Sequence, residues 1–464
     1  MLSTVGVARR LAKVIGWSSA GLVAVVAIWF AGNQLLDPAP SPAQEELSKS
    51  VAPPFEDKKN AAVAILGLTA PTGTDFIQHG IQVKALYAGN APHAQIQDMV
   101  RGSKALRPTV EGNQVTCWLD PDWTPFKDCL PFDKAPAVLG ENKELLQRYK
   151  TLYGLGHYAA TDIYYNDAYL VLVRLAIAEM HVDLRKGNYE SAYRAWQRQL
   201  RFARRNLRGT DTWVGKAVGL VAIGMTLPFL DSLLMANPDL ANAHAAELKE
   251  MLRPEGIAAF DPDGIARAEF HLLKKALEHP PIENPEYGTD RLHWLAFRLG
   301  QKNRILNRYA AFAPDYAAAL RLPWSEMEKE TLGLREKHIE PTAWEFVLDP
   351  FGSLLFAQFI DSQLKAREML RQMHITDGRF RLATLLVQLI NENVRDADIP
   401  QFLAAADREL RDPFTATPAR WDPKDRKIYF VDPREKCMIA SLFRVRQTGR
   451  PRGPAASMIN MSAC

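Results

Sequence analysis

Apolar residues recur at steps of three and four along most of this chain, the spacing of amphipathic helices rather than strands. From Glu141 on, that period predicts helices over about 141–154, 162–186, 189–208, 212–235, 240–252, 263–279, 290–312 and 315–336, joined by short turns carrying Gly, Pro or Asn. A further pair is expected over about 351–374 and 378–394. Upstream, "KKNAAVAILGL" and "DFIQHGIQVKALYAG" read as two shorter helices on either side of a turn at Pro71, Thr72 and Gly73. Pro108, Pro121, Pro125 and Pro131 break the region between, which reads as loop. Strand-like alternation is confined to "PARWDPKDRKIYFV" near the end, which reads as a hairpin.

One apolar run stands apart. Residues 14–36 ("VIGWSSAGLVAVVAIWFAGNQLL") carry no charge. At a helical rise of roughly 1.5 Å per residue they reach about 34 Å, enough to cross a hydrocarbon core about 30 Å thick. Trp17 lies near one end, where an interfacial aromatic belongs. Arg9, Arg10 and Lys13 precede the run, while Asp37, Glu45 and Glu46 follow it, opposed by Lys49. The positive-inside rule then leaves the N-terminus in the cytoplasm and exports the rest. Ser41 and Ala43 lie too far downstream for a signal-peptide cleavage site, so the run is read as an uncleaved anchor. Residues 212–235 are also apolar, but the uncharged stretch between Lys216 and Asp231 spans only about 21 Å, which predicts a buried core helix.

The fold class expected is therefore mainly α: a transmembrane helix, an irregular body of helical hairpins resembling tetratricopeptide repeats, and a small C-terminal β-hairpin. The organisation reads as a cytoplasmic tail (1–13), the anchor (14–36), a proline-rich linker (37–57) and a small helical region with a disulfide loop (58–140). An α-helical hairpin domain (141–340), a helical pair with the hairpin (341–435) and a basic flexible tail (436–464) follow. "RKGNYESAYRAWQRQL" matches the second half of a tetratricopeptide repeat, with Gly187, Tyr189, Ala192 and Trp196 at its turn, core and aromatic positions. Met180 stands where that repeat needs Gly, and no second copy follows, so hairpins rather than a regular array are expected.

Composition narrows the classes. With 47% apolar and 24% charged residues the chain is globular, and a net charge of +4 over 464 residues does not point to nucleic acid. Outside the cytoplasm, Cys117 and Cys129 of "CWLDPDWTPFKDC" are expected to pair. No His or further Cys lies near them to complete a tetrahedral metal set. Asp120, Asp122 and Asp128 lack the glycine turn and glutamate spacing of a calcium loop. Cys437 and Cys464 are candidates for a second pair. His271 and His279 are too far apart to share a metal, and "DPDGIARAE" (261–269) reads as a helix cap. No phosphate loop, nucleophile elbow or zinc helix is present, and no metal or cofactor is expected. The one patterned feature is a stripe of Arg194, Arg198, Arg201, Arg205 and Arg208 beside an apolar face of Tyr193, Trp196, Leu200, Ala203 and Leu207. It is either a solvated face or a surface for an anionic lipid, polymer or protein. The basic tail (Arg444, Arg446, Arg450, Arg452) is a similar case.

Several pieces together resemble a group of uncharacterised, single-pass, membrane-anchored envelope proteins of Gram-negative bacteria. They are "NAAVAILGLTAP", the cysteine pair ending in "DCL", "LLQRY" (145–149), "DPFGSLL" (349–355), "RLA…IPQFL" (381–403) and "DPFTATP" (412–418). That resemblance implies an inner-membrane protein with a periplasmic body and brings no activity with it. The last part also resembles the carboxyl end of secretion pseudopilins, with Ala416 where glycine is usual and a basic tail in place of their Gly/Asp-rich ending. The pseudopilin processing site is missing from the N-terminus.

The function expected is a non-enzymatic scaffold or adaptor, held in the bilayer by residues 14–36 and working on an envelope protein partner. The alternatives are a periplasmic glycan-acting enzyme with a carboxylate pair and an anionic lipid or polymer binder using the Arg194–Arg208 stripe.

Overall fold

A computed structural model describes residues 35–49, 54–89, 91, 93–119, 129–159, 168–278, 300–338, 349–365, 367–424, 426–431 and 438–444. The stretch expected to be an anchor, up to residue 34, together with Asp120, Asp122, Asp128, His279, Cys437, Cys464 and the residues beyond Arg444, lies outside the described residues.

In chain order the helices are α1 (Pro42–Leu47), α2 (Ala61–Leu66), α3 (Phe76–Ala88), α4 (His93–Arg101), α5 (Ala135–Glu141), α6 (Lys143–Thr151), α7 (Ala168–Arg185), α8 (Tyr189–Arg208) and α9 (Trp213–Thr226). They continue as α10 (Phe229–Ala236), α11 (Asp239–Ala243), α12 (Ala245–Met251), α13 (Pro262–Glu278), α14 (Lys302–Leu320), α15 (Trp324–His338), α16 (Pro350–Lys365), α17 (Arg367–Asn391) and α18 (Ile399–Ala405). Strands β1 (Arg420–Asp422), β2 (Lys427–Val431) and β3 (Met438–Arg444) form one antiparallel sheet in that order. The protein is mainly helical with a small C-terminal sheet. The described residues divide into two compact units: those within 35–49, 266–322 and 326–365 in the smaller, and those within 54–265, 323–325 and 367–444 in the larger.

The larger unit is built on α7, α8, α9 and α17. α7 and α8 form a hairpin whose turn is made by Gly187 at φ +80°, a conformation that glycine adopts without a Cβ penalty. α8 then packs closely along α9. At Gly219 an added Cβ would lie 2.8 Å from the Leu207 Cα, so only glycine lets these two backbones come so near. The expected core helix over 212–235 is mostly buried, and it is two helices rather than one, with Pro228 at the break. α2, "AAVAIL", is buried along its whole length and begins at Asn60, whose Oδ1 accepts the Ala62 N–H at 3.0 Å.

Near its start this unit carries the Cys117–Cys129 disulfide. Beside it the Trp118 indole N–H donates to the Leu130 carbonyl at 2.7 Å.

Several elements differ from expectation. The helix expected over 240–252 is split into α11 and α12 at His244. Helices α4 and α5 lie in the region read as loop, and β3 occupies the start of the stretch read as a flexible tail. The break near residue 313 is absent: α14 runs through Pro314, which lies on the exposed face. The break expected between residues 374 and 378 is also absent: Thr376 and Asp377 sit inside α17. Thr376 Oγ1 bonds back to the Gln372 carbonyl at 2.8 Å, and Asp377 is drawn into a tertiary contact described below.

The smaller unit packs α14 with the part of α13 from Ala266 on, α15 and α16. Tyr309 is central: its hydroxyl donates to the Ala266 carbonyl at 3.0 Å, and its ring meets Phe270 and Phe359. Asp349 starts α16, accepting the Gly352 N–H at 2.9 Å and the Gln301 N–H at 3.1 Å. The stretch read as a linker contributes α1, which packs on α14.

Asp412 organises the turn before the sheet. Its carboxylate accepts the Phe414 and Thr415 N–H groups at 2.7 and 3.2 Å, and its carbonyl accepts Ala416 N–H at 2.8 Å. The turn requires φ +56° at Ala416, in the left-handed region. That conformation costs an L-residue about 1–2 kcal/mol, against roughly 0.5–1 kcal/mol of extra chain entropy for glycine. Ala416→Gly is therefore expected to raise unfolding stability by about 0.5–1 kcal/mol, read by urea denaturation.

Candidate functional site: the arginine helix and the loop it grips

α8 is amphipathic as expected. Tyr193, Trp196, Leu200, Ala203 and Leu207 are buried, and the Trp196 indole N–H donates to the Thr226 carbonyl at 3.1 Å. Its inner face also carries polar groups. Gln199 and Asn206 are fully buried; Gln199 Oε1 accepts the Tyr149 and Tyr153 hydroxyls, and Asn206 Nδ2 donates to the Tyr169 hydroxyl at 3.1 Å. Burial pushes the Tyr149 and Tyr153 hydroxyls up from their ordinary pKa, so they act as hydrogen-bond donors. Burial likewise drops His157 to about 3 and His181 to about 4, keeping both imidazoles neutral.

The arginine stripe is not uniform. Arg194 is bridged to Glu190 at 2.8 Å and Glu247 at 2.9 Å. Arg205 donates to the Tyr153 carbonyl and lies over the Phe202 ring. Arg208 donates to Glu255 at 2.7 Å. Arg198 and Arg201 are exposed and make no hydrogen bond or ion pair among the described residues. So the ends of the stripe are paired with groups of the fold, whereas Arg198 and Arg201 in its middle face solvent unpaired.

Arg204, absent from the expected stripe, is the arginine with the largest structural role. Buried beside Phe380, its guanidinium donates to the Met251 carbonyl, to the Arg253 carbonyl at 2.8 Å and to the Glu255 carboxylate. The Glu255 side chain is only 1% exposed. The opposite side of this loop is held by Asp377, whose carboxylate accepts the Glu255 N–H at 3.1 Å and the Gly256 N–H at 3.1 Å. Burial raises Asp377 to about 6, against the pull of Arg381 and these two amides. No sequence period marks Arg204, because it lies one step off the solvent stripe; only the fold shows what it grips.

The far end of the same loop is held by Lys216. Fully buried, its Nζ donates to the Leu207 and Ala259 carbonyls, both at 2.9 Å. Burial lowers its pKa from 10.5 to about 8, opposed by Asp211, Asp261 and Glu255. Between those values the unfolded chain holds one more proton than the folded one, so stability from this group rises as pH increases from about 8 to 10.5. Urea midpoints measured across that window should show this rise, and Lys216→Met should remove it.

An open depression of about 380 Å³ lies between residues 73–76 and 144–151. Its two carboxylates are committed: Asp75 caps α3 by accepting the Ile77 N–H at 2.9 Å, and Glu144 pairs with Arg148 at 2.6 Å. Arg148 in turn donates to the Leu68, Ala70 and Pro71 carbonyls. These groups tie α6 to the loop before α3 and leave neither acid free for a hydrolytic pair. Among the described residues no cluster of His, Cys, Asp and Glu is arranged to hold a metal. Neither a protein-family model nor a curated protein nor a solved structure matches the chain.

Proposed function

We propose that this protein is a membrane-tethered scaffold or adaptor whose helical body works on the oxidising side of a bacterial inner membrane. The observation that carries the reading is the Cys117–Cys129 disulfide in a body that follows the uncharged run of residues 14–36. The buried ionisable side chains favour the same reading. Arg148, Arg204, Lys216, Glu255 and Asp377 each bond backbone or a fixed partner, which shapes a rigid body rather than a reaction centre. The surface left for recognition on α8 is the exposed pair Arg198 and Arg201.

Crosslinking in intact membranes followed by affinity capture is expected to recover a reproducible envelope protein, and Arg198→Glu with Arg201→Glu to reduce its yield. Recovery of no reproducible partner from the unaltered chain would count against an adaptor.

A further inference from the structure

The stretch that follows residue 36 is rich in proline and reads as a loose spacer, yet it is seated on its own unit. The Asp37 carboxylate caps α14, accepting the Asn303 N–H at 3.2 Å and the Arg304 N–H at 3.1 Å. Asn307, one turn further along α14, donates to the Ala39 carbonyl at 3.0 Å and accepts the Ser41 N–H at 2.7 Å. Ser41 then caps α1, its Oγ accepting the Gln44 N–H at 3.2 Å. Gln44, only 4% exposed, reaches Asn303 Oδ1 at 3.4 Å. Residues 37, 39, 41 and 44 are thus all fastened to the first turns of one helix. Just outside this seat stand Leu35 and Leu36, 86% and 58% exposed, the last residues of the uncharged run.

We propose that residues 37–48 form a rigid bracket that holds the N-terminal end of α14 in the headgroup layer of the membrane, with Lys302 facing the lipid phosphates. The proposal rests on the reading of residues 14–36 as bilayer-spanning. Its distances are short. Asp37 follows the run by one Cα step of about 4 Å, and its side chain touches α14, so the first turn of α14 lies within about 10 Å of the hydrocarbon edge. The headgroup layer occupies about 5–8 Å on each side of a bilayer, so a first turn within about 10 Å of the hydrocarbon edge spans that layer and its outer rim.

The charges at this corner suit that place. Asp37 is spent on backbone amides, Glu46 is paired with Lys49, and Arg304 donates to Gln301 at 2.5 Å. Glu45 on α1 is an exposed acid that the headgroup layer must leave on its aqueous side. Lys302 is exposed and has no partner among the described residues. A phosphate layer supplies the anion it lacks, and its flexible stem carries the ammonium outward. A bracketed unit meets partners lying at the membrane surface, whereas a leash would let it sample the depth of the compartment.

The test uses the full chain with Cys437→Ser and Cys464→Ser, a fluorophore on Lys302→Cys, and phosphatidylethanolamine–phosphatidylglycerol vesicles containing a headgroup-nitroxide lipid. A carbonate wash comes first. Retention is expected; release from the vesicles overturns the anchor reading and this proposal with it. In retained protein the label is expected to be quenched at least about twofold, a depth within the headgroup layer. Asp37→Ala with Asn307→Ala should abolish most of that quenching. A label left unquenched in carbonate-resistant protein, or quenched equally with the bracket cut, overturns the bracket and leaves the anchor standing.

Discussion

Arg204→Met should destabilise the larger unit by about 3–5 kcal/mol, the cost of removing one partner from a buried ion pair. Three acceptors lose their donor together: the Met251 and Arg253 carbonyls and the Glu255 carboxylate. Arg208 remains on Glu255, but it is more than half exposed and does not replace a buried donor. Urea denaturation of Arg204→Met, Glu255→Gln and the double variant measures the coupling. The double variant should cost less than the two singles added, by at least about 1 kcal/mol. A single-variant loss below about 1 kcal/mol would mean that the loop is held without this grip.

Removal of the disulfide ranks second. Cys117→Ser with Cys129→Ser opens a loop with a sequence separation of 12, which the chain-entropy model values at about 3 kcal/mol. The native side also suffers, because the Trp118 indole bond to the Leu130 carbonyl lies next to the bridge. Adding reductant to the unaltered protein should move its urea midpoint to that of the double serine variant. A midpoint indifferent to reductant would show that the bridge does not hold the fold.

What could be read in advance depended on how local the cause was. The helix expected over 189–208 is found as Tyr189–Arg208, because its apolar face, its arginine stripe and the Gly187 turn act within one element. The cysteine pair was legible from spacing and presumed compartment. Long-range partners were not. The stripe was visible as a period, but its division into spent ends and an open middle depends on Glu247, Glu255 and the Tyr153 carbonyl, each about 50 positions away in the chain. A break was expected between residues 374 and 378, yet two amide donors from residues 255 and 256 and the packing of α17 keep Thr376 and Asp377 helical. Proline content made residues 37–57 read as a spacer; the Asp37 and Asn307 bonds that seat their first part on α14 link positions 266 and 268 residues apart.

These elements give the proposed adaptor its form. α8 and α17 clamp the 251–261 loop from two sides with Arg204 and Asp377, and Lys216 closes its end. The result is a stiff body with Arg198 and Arg201 presented on its surface. Stiffness of this kind suits a platform that holds a partner in one place.

The claim beneath all of this is that the polypeptide after residue 36 leaves the cytosol. Labelling of Cys117 and Cys129 with a membrane-permeant maleimide in whole, unreduced cells is its most direct measurement. Both sulfurs should stay unlabelled until reductant is added, as exported and bridged cysteines do; free labelling of both in untreated cells would place the body in the cytosol and contradict it.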